Sequence, residues 1–335
     1  MAKRITMAEL ARAANVDTST VSRALNDSSL VKEETKRHIL SIASDLGYVI
    51  HASARNLRRQ SSETIGLVIP LVPESGQTIS DPFFLEMVGA VAHAASQEGY
   101  DLIVNVPSAE QQDGAEQRLL QTGRADGLII IGQAGRTEFL NKLGKLTERV
   151  VVWGGSVPEA NYTVVGSDNV RGGELAVEHL LNRGRERVLF VGDSALPEVQ
   201  LRYEGLKKAH RVAGLEHDPD LILPEGFGGK STFTDLQRVL DSGLEFDAVF
   251  AASDVLAITA IHSLQAYGKH VPGDVSVVGY DNIGQASIMT PALTTIDQHI
   301  ADGGRIMVEL LLRKLTGTDV RSRTNSTELV VRDST

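Results

Sequence analysis

The chain has 335 residues, 42% of them hydrophobic and 23% charged, a composition that fits two or three folded domains and excludes a largely disordered protein. It has no cysteine, which removes disulfides, thiolate metal sites and cysteine nucleophiles together. Its net charge is −10, but residues 1–60 hold ten Lys/Arg against six Asp/Glu and the remainder 23 against 37, so a basic head of +4 precedes an acidic body of −14.

Such asymmetry suits a polyanion-binding module joined to a ligand-handling domain. Met1-Ala2-Lys3-Arg4 has charge but no apolar run behind it, so no secretory signal is expected. No stretch approaches the roughly 18 consecutive apolar residues of a membrane span. A cytoplasmic, nucleoid-associated location follows as the expectation, with no membrane partner.

The head reads as three short helices. Thr6-Met7-Ala8-Glu9 fits a capping box opening a helix that runs to about Ala13. Asn15 stands where a left-handed turn residue is easiest to accept. Asp17 is a suitable N-cap for a second helix, Thr18 to Leu25, with Val21 and Leu25 inward. A third helix, about Glu33 to Leu46, stops at Gly47. Two short helices joined by a tight turn, with a third behind, form a DNA-reading unit.

Ile5-Thr6-Met7-Ala8-Glu9-Leu10-Ala11, Val16-Asp17-Thr18-Ser19-Thr20-Val21-Ser22-Arg23-Ala24-Leu25-Asn26 and Leu46-Gly47-Tyr48 resemble the head of the LacI family of transcriptional repressors. The resemblance implies that Thr18, Ser19 and Arg23 face base edges in the major groove, with Asn26 at the end of the same motif. Arg23 also has the fork that guanine O6 and N7 accept. Thr6, Thr20 and Ser22 suit phosphate contacts or caps, although plain helix-surface polarity explains Thr20 and Ser22 equally well.

The stretch Ala52 to Leu57, with Ala54-Arg55-Asn56-Leu57 at its end, resembles the family's hinge helix, which places Leu57 as a minor-groove wedge and Arg55 and Arg58 near the groove or its phosphates. Ile50-His51 replaces the usual Pro-Asn start. Without the resemblance, Arg58-Arg59-Gln60-Ser61-Ser62-Glu63 reads as a polar linker.

From Thr64 onward short apolar runs alternate with helical patterns, the signature of parallel α/β sheets. Strands are predicted at 65–69, 102–106, 127–131, 150–153, 164–166, 188–191, 248–251 and 275–279. Helices are predicted at 83–98, 110–122, 169–182, 202–213, 232–240 and 254–267. So many strands indicate two sheets, with a ligand in the crevice beyond the strand carboxyl ends.

Asp81-Pro82-Phe83-Phe84, Arg202-Tyr203-Glu204-Gly205, Val275 to Asn282 and Pro291 to Ile296 extend the family resemblance over essentially the whole chain. It implies an all-α helix-turn-helix head followed by α/β, two doubly wound parallel-sheet subdomains of periplasmic-binding-protein type. The expected boundaries are 1–50 for the head, 51–63 for hinge and linker, and 64–335 for effector binding and dimerisation. The chain is expected to cross between subdomains near Val165 and Thr295, giving one of about 64–165 and 296–326 and another of about 166–295 and 327–335. With little sequence after Val331 for a tetramerisation helix, the resemblance implies a homodimer on a palindromic double-stranded operator.

The candidate effector residues fall at strand-to-helix junctions. Asp281 follows a strand and offers an acceptor pair to sugar hydroxyls, and the resemblance brings Arg202 into the same cleft. Phe227 occupies a place where the family often sets a ring against a sugar face. Phe83, Phe84, Asp168, Ser253, Asp254 and Gln298 complete the expected lining. Asp81 before Pro82 reads as an N-cap, and Ser253 and Asp254 suit caps equally well. Trp153, the single tryptophan, is either a stacking surface or core.

Gly229-Lys230-Ser231 lacks the upstream glycine of a phosphate loop, since Pro224 stands there. No His-Glu-x-x-His and no Gly-x-Ser-x-Gly occurs, so no enzyme, metal or cofactor is expected. The expected function is operator binding controlled by a small molecule, a sugar in the first reading. A nucleobase or other metabolite acting as co-repressor is the alternative, and a sugar-binding protein without gene control belongs to a different class.

Overall fold

The computed structural model describes residues 5–25, 28–48, 61–71, 76–107, 114–133, 135–227, 229 and 231–335. The chain divides into two compact units, Met1–Ser62 and Glu63–Thr335.

In the first unit α1 spans Met7–Ala13, α2 Thr18–Leu25 and α3 Glu33–Asp45. Thr6 and Glu9 form a reciprocal capping box: Glu9 N–H donates to Thr6 Oγ1 at 3.3 Å, and Thr6 N–H donates to Glu9 Oε2 at 2.8 Å. Asn15 takes the left-handed conformation, φ 52°, and so turns the chain between α1 and α2. Beyond α3, Gly47 is left-handed, φ 62°, and Tyr48 N–H reaches back to Ala43 O at 2.8 Å, the bond of a Schellman ending. Leu10, Val21 and Ile39 meet in the fully buried centre, one from each helix.

The second unit holds two six-stranded sheets. The first contains β1 (Thr64–Val68), β2 (Asp101–Asn105), β3 (Gly127–Ile131), β4 (Val150–Trp153), β5 (Thr163–Ser167) and β11 (Arg323–Asn325), in the order β11-β5-β4-β3-β1-β2 and parallel throughout. The second contains β6 (Val188–Val191), β7 (Ile222–Leu223), β8 (Ala248–Ala251), β9 (Ser276–Asp281), β10 (Thr294–Asp297) and β12 (Glu328–Val330), in the order β12-β10-β9-β8-β6-β7. There β12 runs antiparallel to β10 and the other pairs are parallel. β1, β3, β4, β6 and β8 are buried along their length, as strands covered on both faces must be.

The connecting helices are α4 (Pro82–Gln97), α5 (Ala115–Gln121), α6 (Thr137–Leu146), α7 (Asn169–Asn182), α8 (Pro197–Val212), α9 (Thr232–Asp241), α10 (Asp254–Ala266), α11 (Gly284–Ile288) and α12 (Ile300–Leu315). α7 follows β5 of the first sheet yet packs Ala176, Val177 and Leu180 into the core of the second. α12 follows β10 of the second sheet yet packs Met307, Leu310 and Leu311 into the core of the first. The chain therefore passes between lobes at Ser167–Asn169, at Asp297–Ile300 and again between β11 and β12.

α8 corrects the expected helix start at Arg202. It begins at Pro197, which sits in the first turn where a missing N–H is harmless, so Arg202 lies in the second turn. α6 and α12 carry apolar faces that were not assigned from the sequence.

Candidate functional site

On α2, Thr18, Ser19 and Arg23 are exposed, and Ser19 and Arg23 stand one helical turn apart on the same face. That is the presentation base reading requires. Thr20 is partly buried. Ser22 departs from the expected surface position: it is only 6% exposed, turned toward the three-helix core. Thr6 is exposed but committed to its capping box. Asn26, Ala54, Arg55, Leu57 and Arg58 lie outside the described residues.

In the second unit the strand carboxyl ends of both lobes face a cleft enclosing about 680 Å³, its open mouth included. It brings together Phe83, Phe84, Trp153 and Phe227 as ring surfaces, and Arg202, Ser253, Asp281 and Gln298 as polar groups. Asp81 caps α4 by accepting from Phe83 N–H at 3.0 Å, which fixes the two adjoining phenylalanines at the cleft edge. The Phe83 and Phe84 rings meet edge to face, 5.5 Å between centroids. Phe84 is nine-tenths inside the first lobe's core, whereas Phe83 touches the cores of both lobes.

Trp153 is 5% exposed, packed in the first lobe's core, and also lines the cleft. Its indole lies against Gly303 of α12, where a Cβ would come within 2.2 Å of the ring.

Arg202 is 5% exposed and held from three sides. Its Nε donates to Asn169 Oδ1 at 2.8 Å, a terminal nitrogen donates to Ala252 O, and the guanidinium lies 3.7 Å over the Tyr280 ring. Asp281 ends β9 with φ 121°, followed by Asn282 at φ 58°, a backbone bend that turns its carboxyl inward. Gln298 donates to Asp281 Oδ1, and Ser167 Oγ donates to Gln298 Oε1 at 3.0 Å. These bonds tie the cleft to two of the lobe crossings. Burial pushes the Asp281 carboxyl well above its usual range, against the pull of Arg202.

Asp168 and Asp254 are not among the residues lining this cleft. Asp168 caps α7 through Arg171 N–H at 2.9 Å and borders a separate cavity with Ser322 and Thr324. Asp254 is fully buried, accepts from Thr295 Oγ1 and from Ile283 N–H at 2.9 Å, and is pushed up to about 7 by burial. Ser253 does line the cleft, although its Oγ also caps α10 at Leu256 N–H, 3.3 Å.

Gln133 and Glu198 line the cleft without having been singled out from the sequence. Gln133 sits just past the carboxyl end of β3, and that position was the available signal. It is fully buried and spends its amide on Gly155 and on Tyr162 Oη. Glu198 stands in the first turn of α8, which the late predicted start of that helix concealed.

The family model of bacterial regulatory proteins, lacI family, matches residues 6–50, and that of a periplasmic binding protein-like domain matches residues 177–335. The HTH-type transcriptional repressor PurR of Haemophilus influenzae (strain PittEE) is 30% identical over 339 residues, spanning 98% of each chain. The chain belongs to the LacI family.

This LacI-family protein is a DNA-binding transcriptional repressor with an effector-binding domain, and it is not an enzyme. Among solved structures, the complex of the transcriptional regulator CelR with cellobiose matches with a TM-score of 0.73 and 28% identity, covering 99% of this chain and all of that one. The lac repressor dimer bound to operator and the anti-inducer ONPF matches with a TM-score of 0.86 and 24% identity over 99% of each chain, a likeness of fold. Among the described residues no helix is long and apolar enough to cross a membrane.

Proposed function

We propose that this LacI-family repressor binds a palindromic operator as a homodimer and that its operator affinity is set by a sugar held between the two lobes of its effector domain. The observation that carries the effector reading is a cleft lined both by polar groups, Arg202, Asp281, Ser253 and Gln298 among them, and by the rings of Phe83, Trp153 and Phe227. A sugar has the matching form, a rim of hydroxyls and an apolar face. The cellobiose complex of CelR lends support through a similar chain.

For the dimer, support comes from the lac repressor, a chain of similar fold solved as a dimer bound to operator. For coupling, Ser167, Gln298 and Asp281 link the cleft to the strands on which the lobes turn, so a ligand bonding to Asp281 biases one lobe arrangement over another.

The test is selection of bound duplexes from a random pool, followed by anisotropy titrations of the selected site with and without sugars. A palindrome whose affinity changes with a sugar supports the reading. A purine base that changes it when no sugar does transfers the cleft to nucleobases. Weak, steeply salt-dependent binding without a consensus removes sequence-specific control.

A further inference from the structure

We propose that the cleft discriminates by charge, admitting uncharged hydroxyl-rich effectors and rejecting phosphorylated or acidic ones, with Glu198 as the residue that sets the discrimination. This rests on the cleft being the effector site.

Three carboxyl side chains, Asp81, Glu198 and Asp281, line the cleft, while Arg202 is the one cationic side chain lining it among the described residues. Arg202 has little to offer an incoming anion. Its Nε is taken by Asn169, a terminal nitrogen by Ala252 O, and one face of its guanidinium by Tyr280. A bidentate clamp on a phosphate needs those nitrogens free.

The decisive group is Glu198. A helix N-terminus pointing at a cleft is the ordinary cradle for phosphate, because its free amides carry partial positive charge. α8 begins at Pro197, so the first of those amides is missing, and Glu198 follows with a carboxyl of its own. That carboxyl lines the cleft, and burial raises its pKa against the pull of neighbouring backbone amides and of Arg202. Gly155 lies beside this helix start, where a Cβ would come 3.6 Å from Glu198 N and 2.9 Å from Leu201 Cδ1.

The helix end is thus filled by the chain's own acid. A phosphate arriving there meets the oxygens of the chain's own acid where it needs free donors, in a partly dry pocket that exposes the mismatch in full. A hydroxyl group arriving there donates to it. The other two carboxyls act the same way with less freedom, since Asp81 caps α4 and Asp281 accepts from Gln298.

The experiment is calorimetric titration of the full-length protein, at neutral pH, with matched pairs: ribose and ribose 5-phosphate, glucose and glucose 6-phosphate, adenosine and its monophosphate. The expected result is binding of at least one neutral member with its anionic partner weaker by at least about tenfold, and a narrowed gap in Glu198→Gln. An anionic member bound as tightly as its neutral partner overturns the proposal. A sugar phosphate preferred over its sugar sinks the charge rule and leaves the sugar reading standing. Adenosine bound in preference to its monophosphate, with no sugar bound, sinks the sugar reading and leaves the charge rule standing.

A second measurement needs no effector. Trp153 is the single tryptophan and lines the cleft, so its fluorescence reports the field there. Glu198→Gln should raise the iodide quenching constant and leave that of neutral acrylamide, which reports burial, unchanged. An iodide-to-acrylamide ratio that does not move in the variant overturns the proposal even where no probe binds.

Discussion

The guanidinium of Arg202 is stacked 3.7 Å over the ring of Tyr280, and that ring's hydroxyl lies 3.4 Å from Ser167 Oγ at the first lobe crossing. The cleft-lining cation and the first lobe crossing are therefore two ends of one packed unit. Gly172 of α7 completes it, since a Cβ there would lie 2.4 Å from Tyr280 Oη.

Removing Arg202 strips Asn169 Oδ1 and Ala252 O of their donor and leaves Asp281 without its nearby cation. Arg202→Ala is expected to lower the stability of the effector domain by about 2–4 kcal/mol and to abolish the effector response. Operator affinity of the folded protein should be nearly unchanged. Arg202→Lys retains the charge but not the fork or the stack, and should rescue the response only in part. Urea unfolding beside effector-dependent operator titrations separates the two effects, and equal loss of stability, response and operator binding makes Arg202 purely structural.

Arg23 is exposed on α2 and one turn from Ser19. Arg23→Lys is expected to weaken the selected operator by about 1–3 kcal/mol and to relax preference at one base pair, because a bidentate contact is lost and the charge is kept. The slope of affinity against salt should hardly move. A uniform loss across all sequences instead makes Arg23 a phosphate contact.

Gly205 sits where α8 crosses α7, and a Cβ there would lie 2.2 Å from Val170 O and 2.7 Å from Glu174 N, both backbone atoms. Gly205→Ala must force the helices apart and is expected to destabilise the effector domain by about 1–3 kcal/mol or more. Gly89, inside α4 with nothing within 4 Å of its would-be Cβ, is the control, and Gly89→Ala should be neutral or stabilise by about 0.5–1 kcal/mol. Denaturation midpoints check both; a tolerated Gly205→Ala would show that the helices can slide.

His217 lies 5.2 Å from the His210 ring and 5.6 Å from Tyr203, with both of its nitrogens shielded and unbonded. Burial, then the neighbouring His210, pushes its pKa down to about 4. The folded state therefore holds fewer protons than the unfolded state between about pH 6.5 and 4, and stability falls as pH drops through that window. Allowing for solvent around this partly exposed ring, the loss is on the order of 1–2 kcal/mol. Unfolding free energy followed over that range should fall toward acid more steeply in the protein than in His217→Phe, and parallel curves count against it.

Much of the fold was legible because the strands of covered parallel sheets are continuous apolar runs. β3, β4, β6 and β8 fall where those runs predict them. α7 was equally plain, opened by Asp168 and ended before Gly184. The short edge strands β7, β11 and β12 have two or three residues each, too few for any periodicity to register.

Within the cleft, Asp281, Arg202 and the rings were readable because polar or aromatic residues at the ends of apolar runs stand out. Asp168 and Asp254 were readable only as acids at junctions. Whether such an acid faces the crevice or folds back onto an amide depends on the rotation of its helix, which the sequence pattern leaves open. Gln133 was missed because its buried amide is fixed by Gly155 and Tyr162, partners distant in sequence, and Glu198 because the expected start of α8 fell beyond it.

The three crossings between lobes also bear on how the molecule reaches its native state. The first sheet is incomplete until β11 at Arg323–Asn325 is available, and its covering helix α12 comes only after nearly all of the second lobe. The second sheet needs β12, at Glu328–Val330. The pairing of Arg323 with Val165 closes a loop that contains nearly the whole second lobe, whereas β12 pairs with β10 shortly before it in the chain. Folding should accordingly be slow and pass through a species with an open sheet edge beside β5, where aggregation competes and a chaperone has its opportunity.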